Sequence, residues 1–524
     1  MHRIVTPALL ILLPLSFFLA FFHWETLQVD NPGWLLRGTD NGENALGSHA
    51  YWHDPAAGMS LRTTMLDAPD GVPVLYTDSN PLVTLLAKPL AKMLPVDAQL
   101  VGSIILINLI FQAFFAWLLL RRHAPGPVAL WAGVVLLAFP PTLANRFMHV
   151  NLMAHWMILA ALYLFLDDRR AGQLRWWAPL ITVCALVHSY LLVMIGAIWA
   201  SAMLVRFVKG DTRDRILTIG QSISVLTLVV LLAKWLGVGD QKSTGTFGNF
   251  AMPLDALWNP HNSNFSTLVP AHHDYGGLWF EGFQYLGAGG LALVAAAIII
   301  GWSLPIRDGE RAVGRRLWGM VPALTVLSLL ATLQVSLPPM VMAVLDLVRA
   351  SGRLFWPVGY VLVMMSVLTV YRLSTERAGL ALVAMIALQV VDLSGMAATI
   401  RMQSQEAVRH RLYARTTDPR WDQLVTRAKS VTFMPDDVPR DLGIFQEVAW
   451  RAIKAGRPVA NVYAARPSGA AIARHSAEAA AFERGELVPG RLYVMLKGSA
   501  VAPAALRAAG ARVMTLDGRT IIAP

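Results

Sequence analysis

Carboxylates, histidines and aromatic residues crowd the polar segment from His23 to Asp97, which separates two apolar runs. It reads Arg37-Gly38-Thr39-Asp40-Asn41-Gly42-Glu43, then Tyr51-Trp52-His53-Asp54-Pro55, then Tyr76-Thr77-Asp78-Ser79-Asn80-Pro81-Leu82. Connections between spans are usually short, and a long one this dense in reactive groups is a working part, so we read it as a catalytic loop. Asp40 is the first candidate, because its Gly-Thr-Asp-Asn-Gly setting favours a tight, backbone-exposed turn. Against that stands an Asx-turn that only shapes the loop. Glu43 and Asp54 are the competing carboxylates, and an Asp-Pro pair such as Asp54-Pro55 commonly just starts a turn.

Three further groupings could bind charge or hydroxyls. Asn145, His149 and Trp156 recur at i, i+4 and i+11, a spacing that predicts one helix stripe, with Arg146 beside them. A second polar stretch carries Trp258-Asn259-Pro260-His261-Asn262, His272-His273-Asp274-Tyr275 and Glu281-Gly282-Phe283-Gln284-Tyr285-Leu286-Gly287. Its histidine spacing matches no zinc signature, so sugar or phosphate contacts are preferred over a metal, with surface histidines as the plain alternative. Ser351-Gly352-Arg353-Leu354-Phe355-Trp356-Pro357 sets an arginine at the mouth of a span. A planar guanidinium there suits bidentate phosphate binding, and snorkelling to headgroups is the equal alternative.

The elements that hold these residues follow from composition. Of 524 residues, 55% are hydrophobic and only 15% charged, with a mean hydropathy of +0.50. That excludes a soluble enzyme and indicates a polytopic α-helical membrane protein. The net charge of +11 lies in clusters flanking apolar runs, which argues for membrane orientation and against nucleic acid. The single cysteine, Cys184, sits in an apolar run and reads as packing. Residues 4–22 read as a retained first span, since no small-residue cleavage pattern follows them.

Runs able to cross a ~30 Å hydrocarbon core occur at about residues 4–22, 99–120, 127–144, 147–166, 176–208, 215–236, 284–303, 317–336, 354–372 and 378–395. The fifth is too long for one crossing, and His188-Ser189-Tyr190 predicts a turn within it, giving about eleven spans. With the N-terminus inside, the basic clusters at 121–123, 167–175, 206–215, 307–316 and 372–377 all fall on the cytoplasmic side. The outer face then carries the first loop 23–97, a second loop 237–284, a third around 336–357 and the C-terminal region. We expect a membrane domain over 1–395 and a small periplasmic α/β domain over 396–524. In the latter, Asp418-Pro419 opens a helix, Gly456 and Gly510 close helices, and 430–434, 458–463, 491–496 and 512–516 read as strands. No phosphate loop or nucleophile motif marks it, so it reads as a cap or docking module.

The first span, the long outer segment with an early carboxylate, the many spans and the α/β tail together resemble the GT-C superfamily of integral membrane glycosyltransferases. More closely, Tyr76 to Leu82, Asn145 to Trp156, Glu281 to Gly287 and Ser351 to Pro357 look like the signatures of a bacterial membrane family known mainly as a domain of unknown function and placed with GT-C proteins. The likeness covers about residues 1–395. It implies inverting transfer of a sugar from a polyprenyl-phosphate carrier to an envelope hydroxyl at the periplasmic face of the inner membrane. An acidic residue of the first outer loop would act as base, and Asp40 is the matching position. Asn41 follows it where some branches carry a second carboxylate, so no cofactor is called for and a divalent metal is left open. Arg353 first and Arg146 second would meet the departing phosphate. Glu281, His149, His272, Tyr285, Asp54 and Asp78 would contact substrate. The partners implied are the polyprenyl-phosphate sugar, a glycan, lipid or protein acceptor, and the bilayer. The rival readings are a transporter or flippase of lipid-linked sugars and an envelope polysaccharide polymerase or ligase. A transporter would carry ionisable groups deep in its spans or broken helices in two related halves, whereas the polar residues here gather at one face.

Overall fold

The structure is a computed structural model that describes residues 2–239, 246–272, 279–334, 338–498 and 511–523. The expected contributions of His273, Asp274, Tyr275 and Gly510 lie outside them. The chain forms two compact units, one of Met1–Phe22, Ile104–Val230 and Ser243–Met402, the other of His23–Ser103, Leu231–Lys242 and Gln403–Pro524.

Helices dominate. Among the described residues four are long and apolar enough to cross a membrane, Val101–Leu120, Ser189–Lys209, Thr212–Trp235 and Ser351–Val370, or up to seven spans if each of three bent pairs is one crossing. This is a multi-pass membrane protein, and among the described residues four to seven of the eleven spans expected meet that length and composition. Part of the difference lies in apolar runs that fold as shorter helices, such as Val5–Phe21, Val150–Leu166 and Leu174–Val187. Proline accounts for another part: Pro140-Pro141 removes two backbone donors where Pro127–Ala138 and Pro141–Met148 meet at 43°. The break expected at His188 is present. His188 is extended (φ −164, ψ 132) and its ring accepts a hydrogen bond from the Tyr190 amide, capping the helix Ser189–Lys209.

The stripe expected for Asn145, His149 and Trp156 does not form. Asn145–Met148 and Val150–Met153 are separate 3-10 turns, His149 between them is not helical, and the α-helix starts only at Trp156. A 3-10 turn advances three residues rather than 3.6, so the i, i+4 register is lost.

The second unit joins the first polar segment to the tail. A four-stranded sheet forms its tail portion. After the two-residue pair β1 (Arg62–Thr63) and β2 (Val72–Pro73), the strands are β3 (Ser430–Met434), β4 (Arg491–Met495), β5 (Arg512–Leu516) and β6 (Arg519–Ala523), in the order β3-β4-β6-β5. β3 and β4 are parallel and the other pairings antiparallel. The strands expected at 430–434, 491–496 and 512–516 are thus found, while 458–463 contributes only an isolated bridge through Val459. Met434, Phe482, Tyr493, Met495 and Ile522 pack into one apolar cluster. Gly456 (φ +69) ends the helix Leu442–Lys454, with the Arg457 amide returning to the Ala452 carbonyl, as the expected C-cap requires.

Candidate functional site

Within the helical unit, three charged side chains from distant parts of the sequence meet. Arg146 lies on the Asn145–Met148 turn, Glu281 on the short helix Trp279–Gly282, and Arg353 on the 3-10 turn Ser351–Phe355 that leads into Trp356–Val370. Arg146 Nη1 is 2.5 Å from Glu281 Oε2. Arg353 grips the same carboxylate with two nitrogens, Nε at 2.6 Å from Oε2 and Nη2 on Oε1. The side chains are 3% (Arg146), 6% (Glu281) and 7% (Arg353) exposed.

Local packing explains the convergence. Gly282 and Gly352 press backbone to backbone: a Cβ on Gly352 would stand 2.6 Å from Gly282 Cα and 2.9 Å from the Phe250 carbonyl oxygen. Only glycine allows that approach, and it brings the turn carrying Arg353 against the helix carrying Glu281. The Gly352 amide donates to the Phe250 carbonyl, and Gln284 Nε2 donates to the Gly352 carbonyl at 2.8 Å. Asn145 and Arg146 both donate to the Phe280 carbonyl, which fixes the third turn. The Arg353 guanidinium lies 4.7 Å from the Tyr190 ring centre and that of Arg146 lies 5.8 Å from Trp356, so both cations have an aromatic face.

Electrostatically the three groups form a locked but unbalanced set. Burial pushes the Glu281 carboxyl up, but Arg353 and Arg146 overcome this and, with His149 adding to them, hold it well below the ordinary carboxylate value. Among the described residues, two guanidiniums share one carboxylate here, and His149 adds to the positive side. Among the described residues, Arg146 Nε and Ser351 Oγ are buried without a hydrogen-bond partner.

The structure distributes the other expected residues elsewhere. Tyr285 is fully buried and its hydroxyl donates to Asp392 Oδ2 at 2.8 Å. Asp392 also receives the Ala288 amide and the Ser266 hydroxyl, so this carboxylate ties three segments together. Sequence reasoning passed over Asp392, because it closes the apolar run 378–395 like an ordinary helix end. His272 is exposed and faces Asp255 at 3.2 Å.

In the second unit, Asp40 is the first residue of the helix Asp40–His53 rather than part of a turn, with Thr39 at the cap position. It is half-buried. Gln446 clamps this helix start: its side chain accepts from the Gly38 amide at 2.8 Å and donates to the Thr39 carbonyl and to Glu43 Oε1, both at 2.9 Å. Burial raises the Glu43 carboxyl well above its ordinary value, and the nearby charges of Asp78 and Asp40 add to this. Asp78 adopts a left-handed backbone (φ 55) and its carbonyl accepts from Asn44 at 2.6 Å. Asp54 is committed: its carboxylate accepts the Ala56 and Thr64 amides and the Thr63 and Thr64 hydroxyls, which folds the 54–64 loop. No group of three or more His, Cys, Asp or Glu side chains among the described residues could hold a metal ion.

A multi-pass helical fold with a buried arginine-rich cluster and a separate carboxylate-bearing unit defines the class. The chain belongs to the family described as domain of unknown function DUF6311, whose model matches residues 11–394, and the family's C-terminal domain matches residues 420–524. Among solved structures it is similar to the archaeal oligosaccharyltransferase AglB from Archaeoglobus fulgidus, determined with an inhibitory peptide and a dolichol-phosphate. That likeness has a TM-score of 0.43 and 12% identity and covers 94% of this chain and 69% of that one. No curated protein matches the chain.

Proposed function

We propose that the chain is a membrane glycosyltransferase of the GT-C type, moving a sugar from a polyprenyl-phosphate carrier to an envelope hydroxyl at the periplasmic face with inversion. One observation supports this reading: two guanidiniums, Arg146 and Arg353, are buried on the single carboxylate of Glu281 in the unit that carries most of the candidate membrane-spanning helices. Ionisable groups buried in such a unit are costly, and they mark functional sites more often than structural ones. A phosphate suits this cluster, because the guanidinium fork matches its oxygens.

In the reaction, the acceptor oxygen attacks the anomeric carbon while its proton passes to Asp40. The bond from that carbon to the phosphate oxygen breaks, and the polyprenyl phosphate leaves with the electron pair. Arg353 and Arg146 stabilise the charge that develops there, and Glu281 positions both guanidiniums. A base of this kind contributes about 10²- to 10⁴-fold, and one preorganised cation about 10²- to 10³-fold. Sugar hydroxyls fall to His149 and Asp78. The second unit's tail is proposed as periplasmic, and the membrane as the bacterial inner one.

The test is Asp40→Asn in membranes supplied with a radiolabelled polyprenyl-phosphate sugar. Transfer should fall by about 10²-fold or more with the thermal unfolding midpoint unchanged. Full activity in that variant removes Asp40 as the base.

A further inference from the structure

The second unit contains a cavity of about 910 Å³ whose walls come mainly from two segments far apart in sequence, residues 62–76 and 435–479, with Gly237 from a third. A charged clasp forms part of its wall. His475 Nε2 lies 2.8 Å from Asp67 and its Nδ1 lies 2.5 Å from Asp436, while Arg474 binds both Asp67 and Asp70. Burial alone would lower the His475 pKa, but hydrogen bonds to Asp436 and Asp67 raise it to about 9, so the ring is cationic at neutral pH.

The lining decides what fits. Arg62, Arg466 and His475 supply three cations against the four carboxylates of Asp67, Asp70, Asp436 and Asp437. Around them Arg474 pairs with Asp67, Asp70 and Glu478 and Arg440 with Asp437, so these five cations meet five carboxylates and give the cavity no net attraction for a polyanion such as a diphosphate. Prolines and aliphatic side chains also line it, but the charged groups rule out a bare lipid chain. What remains is a neutral ligand in which each polar group both donates and accepts. The helix Gly469–Glu483 begins at the wall, where Ser468 caps the Ala471 amide and the earlier amides of the first turn have no partner within the helix. Asp437 and Asp70 supply acceptors, and Tyr76 and Tyr463 supply amphipathic rings of the kind that pack on sugar faces. The volume suits a ligand of several rings.

We propose that this cavity binds a neutral oligosaccharide. The inference does not rest on the transferase reading, since a protein that only recognised or carried glycans would use the same cavity.

The experiment is isothermal titration of the detergent-solubilised full chain with a panel of neutral tri- to hexasaccharides of hexoses and 6-deoxyhexoses, and with inorganic pyrophosphate. Saturable binding of at least one oligosaccharide is expected, weakened about tenfold by Asp437→Asn, the loss of one hydrogen bond to a charged acceptor. Ser476→Trp, which places bulk at the cavity wall without touching the clasp, should abolish it. Asp40→Asn should leave it unchanged, which separates this cavity from the proposed transfer site. Binding by none of the panel, binding unaffected by both cavity variants, or binding of pyrophosphate alone would overturn the proposal.

Discussion

Glu281→Gln is the most informative single change. It keeps the shape of the side chain and removes the negative charge that two buried guanidiniums share, at 2.5 Å from Arg146 and 2.6 Å from Arg353. Breaking a buried ion pair by deleting one partner costs about 3–5 kcal/mol, because the remaining charge is left uncompensated. Here two charges are left, so the upper part of that range applies. At about 2 °C per kcal/mol for a large domain, the unfolding midpoint should drop by about 8–10 °C, readable by tryptophan fluorescence in detergent. A companion variant separates stability from function. Replacing the whole set by Arg146→Met, Glu281→Leu and Arg353→Met removes all three charges together and should bring the midpoint back to within about 2 kcal/mol of the parent, yet it should abolish sugar transfer. A Glu281→Gln protein as stable as the parent would refute the buried cluster, and a triple variant that still transfers sugar would refute its role in catalysis.

Gly352→Ala should destabilise the protein by about 2 kcal/mol or more, because the new methyl group meets the Gly282 backbone at 2.6 Å and neither side can yield easily; an unchanged unfolding midpoint would show that the two turns do not depend on that contact. His475 should make stability fall on the alkaline side: its raised pKa means the clasp is fully formed below pH 6.5 and is lost as pH rises through about 9. His475→Gln should flatten that decline and remove about 1–2 kcal/mol near pH 6, after discounting for partial solvent screening, as a pH series of unfolding midpoints would show. His149→Ala should lower kcat of sugar transfer about tenfold or more with less effect on KM, since the ring adds to the positive environment of Glu281; a pure KM effect would limit it to ground-state binding.

How much of this was readable in the chain depends on the range of the interaction involved. The split at His188 was legible because a polar triplet interrupts an otherwise continuous apolar run, a local signal. Arg353 and Glu281 were legible one at a time, as charges at the mouths of spans. Their pairing was not, since it depends on Gly282 meeting Gly352 across seventy residues, and nothing in either segment names the other. The Asn145–Trp156 stripe was misread because periodicity assumes 3.6 residues per turn, and two 3-10 turns broke that assumption. Asp392 was hidden by its position at the end of an apolar run. In the second unit, Gln446 looks like any polar residue of an amphipathic helix, although its amide holds the start of the Asp40 helix. Pairings set by tertiary packing leave no local trace.

The imbalance of the arginine cluster bears on the proposed chemistry in one further way. The donor proposed above, a polyprenyl-phosphate sugar, is a phosphodiester with a single negative charge. Transfer converts it to a monoester, which acquires a second charge as the glycosidic bond breaks. A cluster neutralised by two carboxylates would bind neither state, and one without Glu281 would hold the singly charged donor against two bare cations and favour the ground state as strongly as the product. If the reaction proposed above is the one catalysed, the two guanidiniums act best on the second charge that appears as the bond breaks, which is the condition for raising the rate rather than only the affinity.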